Sequence, residues 1–247
     1  MTKSAVDSRQ LRLRYQSQGK AEFFSSLILD ELALRPTGLA TVLDIGCGGG
    51  FHDRPDLQQL IGTKASRFIG VEPDKTAAFI DSFDIIYPSS LEDAPIEPNS
   101  VDVAYAVMVL EHVTDPKHFF AKVEQVLAPG GVFFGFTVDA NHWFRKASVG
   151  MENLGVKEAY LDLIRGKRGE NTRYENFPTA YLCNTDKQLK HLLEPRFKVS
   201  TLSLHKIGQL DYYFPSFLRP FSRLVDRATM AVTTSGSTLV VHAKKAY

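Results

Sequence analysis

The ten residues Thr41-Val42-Leu43-Asp44-Ile45-Gly46-Cys47-Gly48-Gly49-Gly50 constrain this chain more than any other stretch. A short apolar run with β-branched residues has the composition of a strand buried on both faces, as in a parallel sheet. A carboxylate, Asp44, stands near its C-terminal end, and glycines follow at 46, 48, 49 and 50. Glycine turns the backbone tightly and lets a ligand come against the main chain. The pattern Asp-x-Gly-x-Gly-x-Gly is met by Asp44, Gly46, Gly48 and Gly50.

The neighbouring segments supply the rest of a sheet. Residues 67–72, 84–87, 101–109 and 132–138 read as further strands. Residues 11–34 read as a helix ended by Pro36-Thr37-Gly38. A second helix over 116–127 carries Phe119, Phe120, Val123, Val126 and Leu127 on one face, and Pro129-Gly130-Gly131 reads as a turn. Strands alternating with helices point to an α/β fold, a doubly wound Rossmann-like sheet with helices on both faces. Beyond residue 139 the pattern changes. Residues 139–195 are polar and partly helical, and 197–204 and 237–244 alternate like two last strands, the final one antiparallel. An aromatic insert, Tyr212 to Phe217, lies between them.

With 247 residues, 44% hydrophobic and 23% charged, the chain reads as one globular domain. Within it, 1–35 is expected to form a helical lid, 38–138 the ligand-binding core, and 139–247 the substrate-side insertions and last strands. No apolar stretch reaches the roughly 18 residues of a membrane span, and the first twenty residues lack the apolar core of a secretory signal. Two cysteines, Cys47 and Cys183, form neither a disulfide framework nor a zinc site, so no metal is expected. A cytoplasmic location is the expectation. The net charge of +1 conceals an asymmetry: residues 1–140 carry 12 Lys/Arg against 19 Asp/Glu, and residues 141–247 carry 17 against 9. The basic half suits either an anionic substrate or an ordinary solvated surface.

In an open α/β sheet, ligands bind beyond the C-terminal strand ends where strand order reverses. About 26 residues after Gly46 comes Glu72, at the end of the second strand, placed to accept hydrogen bonds from both hydroxyls of a ribose. A dinucleotide site needs Gly-x-Gly-x-x-Gly, and the third glycine fails in either frame, at Phe51 or Asp53. Asp44 beside the loop would repel a pyrophosphate and attract an ammonium group. S-adenosylmethionine has an amino group, a cationic sulfonium and a ribose, and is the cofactor these residues suit.

Four segments, VLDIGCGGG, FIGVEPD, LEDAPIEPNSVDVAYAVMVLEHVTDP and VLAPGGVFF, occur in the order found in class I S-adenosylmethionine-dependent methyltransferases. Over residues 38–138 the chain is most similar to their type 11 (UbiE-like) group. The resemblance implies a seven-stranded sheet of order 3-2-1-4-5-7-6. It also implies roles. Asp44 would orient the methionine amino group. Gly46, Cys47, Gly48 and Gly50 would line methionine and ribose, and Glu72 with Pro73 would hold the ribose. Ser90 and Leu91 would pass the adenine edge, with Ser90 standing where relatives often carry an acid. Ala106 and Val107 would flank the methionine portion.

Methyl transfer needs an in-line acceptor with water excluded, and many acceptors also need a base. His112, after the fourth strand, is the candidate base or pocket-shaping residue; Tyr181 and His142 are weaker candidates. No Asn-Pro-Pro-Tyr-like motif or Pro-Cys nucleophile is present, and no RNA-binding module is recognisable. The expected acceptor is a small molecule, anionic or lipid- or carrier-linked, methylated on oxygen, nitrogen or carbon; nucleic acid is not expected. Residues 216–230 place Phe217, Leu218, Phe221, Leu224 and Val225 at helical spacing, a stripe expected to pack on its own domain, with contact to an anionic membrane surface as the alternative. Two other functions stay open at this point: a nicotinamide-dependent oxidoreductase, and a non-catalytic S-adenosylmethionine-binding protein of the same fold.

Overall fold

A computed structural model describes residues 8–36, 38–156, 159, 178–194, 196–232 and 235–246. Residues 1–7 of the expected lid, Thr37 of the expected breaker and 160–177 of the expected insertion lie outside the described residues.

Seven strands form one sheet: β1 (Thr41–Ile45), β2 (Arg67–Val71), β3 (Ile85–Tyr87), β4 (Val101–Val107), β5 (Leu127–Val138), β6 (Phe197–Leu204) and β7 (Thr238–Lys245). Their order is β3-β2-β1-β4-β5-β7-β6. The first five are parallel, and β7 runs antiparallel to both neighbours. Strand order therefore reverses between β1 and β4, which opens a crevice at their C-terminal ends.

Alternation along the strands gives the sheet two covered faces. Leu43, Ile45, Ala104, Ala106 and Phe133 look toward α4 (Pro116–Val126) and α6 (Asp186–Leu193). Val42, Val103, Tyr105, Phe134 and Phe136 look toward α1 (Ser8–Ser17), α2 (Lys20–Ala33) and α3 (Pro55–Gly62). Helix α4 begins cleanly because Asp115 caps it, its carboxylate accepting from the His118 N–H at 3.1 Å, with Pro116 in the first turn. Two further helices, α5 (Trp143–Asn153) and α7 (Arg219–Val232), flank the C-terminal edge of the sheet. Among the described residues no helix is long and apolar enough to cross a membrane.

Several expectations are corrected. The single N-terminal helix is two, parted at Gly19, which is extended (φ −68°, ψ 159°) at the start of α2; glycine is a poor helix residue and an easy break. The aromatic residues of this segment, which belongs to the expected lid, pack inward. Tyr15, Phe23 and Phe24 are buried in the core, Phe24 stacking on Phe136 of β5 with ring centroids 4.1 Å apart. Burying such a ring stabilises by about 1.5–3 kcal/mol. Strand β5 begins at Leu127, five residues early, because Pro129-Gly130-Gly131 forms an irregularity inside the strand instead of a separate turn. No helix joins β2 to β3, all of whose connecting residues are described. The stripe Phe217, Leu218, Phe221, Leu224 and Val225 is turned largely outward, with Leu218 and Val225 half-buried. Phe217 is 78%, Phe221 64% and Leu224 60% exposed, while Ser222 and Asp226 form the buried side of α7.

Candidate functional site

A cleft of about 550 Å³ opens at the C-terminal ends of β1, β2 and β4. Its walls comprise Asp44, the loop Gly46 and Gly48–Asp53, Glu72–Asp74, Val107–Val109 and His112. The glycine loop leaves β1 with the N–H groups of Gly46 and Cys47 both donating to the Val71 carbonyl, at 2.8 and 3.1 Å, which fixes the loop to the end of β2. Two positions require glycine. Gly46 has φ +75°, and a Cβ there would lie 2.4 Å from Val109 Cγ2; Gly50 has φ +74°, and a Cβ would lie 2.9 Å from the Pro55 nitrogen. The neighbouring His52 and Asp53 also take positive φ (51° and 63°), so the loop curls sharply before α3.

Asp44 is almost fully buried and stands in register with Tyr105 across β1 and β4. Its Oδ2 accepts from the Tyr105 hydroxyl and from Gln58 Nε2, each at 2.7 Å. Gln58 Nε2 also donates to the Cys47 carbonyl at 2.9 Å, tying α3 to the loop. Burial raises the Asp44 carboxyl to about 7, against the two hydrogen bonds that lower it, and the nearby Glu72 charge pushes it further up. A carboxyl in this state is ready to ionise against an approaching cation.

Glu72 is held by the main chain. Its Oε2 accepts from the Gly48 N–H and its Oε1 from the Asp74 N–H, both at 2.9 Å. Each oxygen keeps a further lone pair for a ligand hydroxyl. Asp44 and Glu72 thus face one cleft from neighbouring strands, with the loop between them.

His112 lies in a short 3₁₀ turn, Leu110–His112, and its Nδ1 is 3.2 Å from the Pro178 carbonyl. A carbonyl only accepts, so Nδ1 donates the ring proton to it. Beside it Glu111 is buried. Its Oε2 accepts from the Thr137 hydroxyl at 2.7 Å, and burial raises its pKa against that bond and the His112 and Lys20 charges. Lys20, at the start of α2, donates to Met108 Sδ at 3.5 Å; burial lowers its pKa and Glu111 partly restores it. Met108 itself has φ +56°. His52, across the cleft, is driven to about 4 by burial and by Lys20, and is neutral at pH 7.

Of the residues named from sequence, Asp44, Gly46, Gly48, Gly50, Glu72, Pro73, Val107 and His112 come together at this cleft. Four others lie off its walls. The Cys47 thiol packs under Gly70, whose Cβ would lie 2.7 Å from Sγ, and burial raises its pKa well above the thiol range. Leu91 and Ala106 are buried in the core. Ser90 donates its hydroxyl to Asp93 at 2.8 Å. Tyr181 lies beneath the Arg145 guanidinium, 3.9 Å from its ring centre, and His142 stacks on His205. Sequence reasoning missed Gln58, Tyr105, Lys20 and Glu111. Tyr105 alone carried a signal, since alternation from Val103 puts it on the same sheet face.

Residues 43–135 match the family described as a methyltransferase domain. A ubiquinone biosynthesis O-methyltransferase of Mesorhizobium japonicum is 33% identical over 141 residues, 56% of this chain and 55% of that protein. A tRNA U34 carboxymethyltransferase of Methylococcus capsulatus is 28% identical over 110 residues, 41% of this chain and 33% of that one. This chain therefore spans about half the length, or less, of these curated relatives. Among solved structures, the geranyl diphosphate C-methyltransferase of Streptomyces coelicolor A3(2), in complex with Mg2+, geranyl diphosphate and S-adenosyl-L-homocysteine, superposes with a TM-score of 0.61. That match is at 13% identity and covers 96% of this chain and 82% of that chain. It establishes a shared fold.

Proposed function

We propose that this chain, whose residues 43–135 match the methyltransferase-domain family, is an S-adenosylmethionine-dependent methyltransferase acting on a small molecule. One observation carries the reading: a single cleft walled by Asp44, a glycine loop that admits no Cβ at Gly46 or Gly50, and Glu72. Those residues fit the cofactor. The half-ionisable Asp44 suits an ammonium group, and Glu72, fixed by two backbone N–H groups, suits paired ribose hydroxyls. The missing third glycine and the cleft carboxylates disfavour a dinucleotide.

Bound S-adenosylmethionine supplies a methyl carbon activated by its positive sulfur. The protein's part is to orient that donor, exclude water and manage the acceptor's proton. We assign the acceptor atom as a hydroxyl oxygen, a reading supported by the O-methyltransferase relative. His112 Nε2 takes the hydroxyl proton, with Nδ1 anchored on Pro178. Lys20 and Glu111 set the charge behind Met108 on the acceptor side.

The test pairs binding with turnover. S-adenosylhomocysteine should raise the melting temperature and NADH should not. Labelled methyl should pass from S-adenosylmethionine into a small molecule of a cell extract. His112→Ala should slow transfer by about 10²–10⁴-fold with S-adenosylhomocysteine affinity retained. Stabilisation by NADH alone would overturn the assignment.

A further inference from the structure

Beyond the cleft, three side chains from separate segments meet in the interior: His142 at the start of α5, His205 just after β6, and Asp226 in α7. Their relative exposures are 3%, 4% and 0%. One potential ligand atom from each lies within 4.8 Å of the other two.

Three polar atoms of this cluster, His142 Nε2, His205 Nε2 and Asp226 Oδ2, are buried without a hydrogen-bond partner among the described residues. Two of them, His205 Nε2 and Asp226 Oδ2, nonetheless face each other as an ion pair, so the atom left over is His142 Nε2. A buried polar group left unpaired costs about 1–3 kcal/mol, and this one calls for an occupant. His205 Nε2 is 3.0 Å from Asp226 Oδ2, an ion-pair contact. That separation is a little shorter than that of two ligands of one ion, which tetrahedral bonds of about 2.0–2.1 Å put roughly 3.3–3.4 Å apart. A plain His205–Asp226 ion pair would leave the His142 nitrogen unexplained.

The remaining atoms of the three side chains are already held. Trp143 Nε1 donates to Asp226 Oδ1 at 2.9 Å, which leaves Oδ2 for the centre. His205 Nδ1 lies 2.9 Å from the Ser237 hydroxyl; with the proton on Nδ1, Nε2 presents its lone pair. Such outer hydrogen bonds orient metal-binding histidines. His142 Nδ1 accepts from the Phe144 N–H at 3.3 Å, a long bond that coordination through Nε2 would exchange, since the ring proton must then sit on Nδ1.

We propose that His142, His205 and Asp226 bind one divalent first-row transition ion of the zinc or cobalt type. Two imidazole nitrogens and one carboxylate oxygen suit such an ion and do not suit Mg2+, which takes oxygen ligands. Three protein ligands leave a position for water or a substrate oxygen. Strands β5 and β6 both run antiparallel to β7, so their C-terminal ends share the sheet edge that bears the cleft. The ion would clip α5, the loop after β6 and α7 together. Residues spread from 142 to 226 gave no ligand spacing to read, which is why no metal was expected from the sequence.

The full chain, stripped with a chelator, should take up about one Zn2+ in equilibrium dialysis, with metal read by mass spectrometry, and its melting temperature should rise with Zn2+. Co2+ should give the visible absorption of a nitrogen-coordinated site. H142A keeps the His205–Asp226 pair and should bind Zn2+ at least about 100-fold more weakly, with far-ultraviolet circular dichroism showing the fold intact. D226N is read the same way if H142A fails to fold. If neither variant folds, the wild-type Co2+ spectrum and Zn2+ melting shift decide. Wild-type protein that takes up no more Zn2+ than a folded variant, or shows neither the Co2+ spectrum nor the shift, overturns the proposal.

Discussion

The Tyr105 hydroxyl donates to Asp44 Oδ2 across adjacent parallel strands, at 2.7 Å and in register. The bond steadies a carboxylate that burial drives toward the protonated form. Below pH about 7 the free protein keeps Asp44 protonated, and capture of an ammonium group requires it to ionise. S-adenosylmethionine affinity should therefore rise with pH, by at most about tenfold per unit, and level off above pH 7. Calorimetry across pH 5.5–8.5 reads this. Tyr105→Phe removes a donor to the charged form, so its plateau should begin at higher pH.

The same carboxyl governs stability without ligand. In the unfolded chain Asp44 titrates near 3.8, and in the folded chain near 7. Between these values the folded state binds more protons, so the Asp44 contribution to stability falls as pH rises and is lost above about 7. Asp44→Asn should match wild type near pH 4 and exceed it at pH 8 in urea denaturation. Its affinity for S-adenosylmethionine should nonetheless fall.

Glu72→Gln is not a neutral exchange. Both Glu72 oxygens accept backbone N–H groups, so a glutamine amide would set its NH₂ against one of them. Charged hydrogen bonds contribute about 1.5–3 kcal/mol, and S-adenosylhomocysteine binding should weaken by about 10–100-fold. Equilibrium binding on protein with unchanged circular dichroism checks this.

Gly50→Ala forces a side chain onto positive φ and against the Pro55 nitrogen at 2.9 Å. Strain of this kind costs about 1–3 kcal/mol. The variant should lose stability by that amount in urea denaturation and bind S-adenosylhomocysteine more weakly, because the curl of residues 50–53 shapes the cleft wall.

Much of the core was legible because its signals are local. The apolar run at 41–45, the glycines after it and Glu72 after the second strand each follow from residue type and short spacing. Where local signals competed, the reading faltered. Gly19 broke a helix whose apolar periodicity continued past it, and Pro129-Gly130-Gly131 entered a strand although its composition is that of a turn. The outward stripe on α7 shows the limit of periodicity: spacing reveals that a helix has two faces, but not that Ser222 and Asp226 form the inner one.

The amino-acid order by itself determined the strand tips, the tight loop and the two carboxylates, since backbone sterics and strand alternation act within a few residues. Only the tertiary structure decided what those groups meet. The pairing of Asp44 with Tyr105 and Gln58 depends on strand register and on the docking of α3. The approach of Lys20 to Met108 depends on how α2 packs. The convergence of His142, His205 and Asp226 joins three segments, the first more than sixty residues from the other two. Such contacts arise from chain folding in three dimensions, and no periodicity along the chain encodes them.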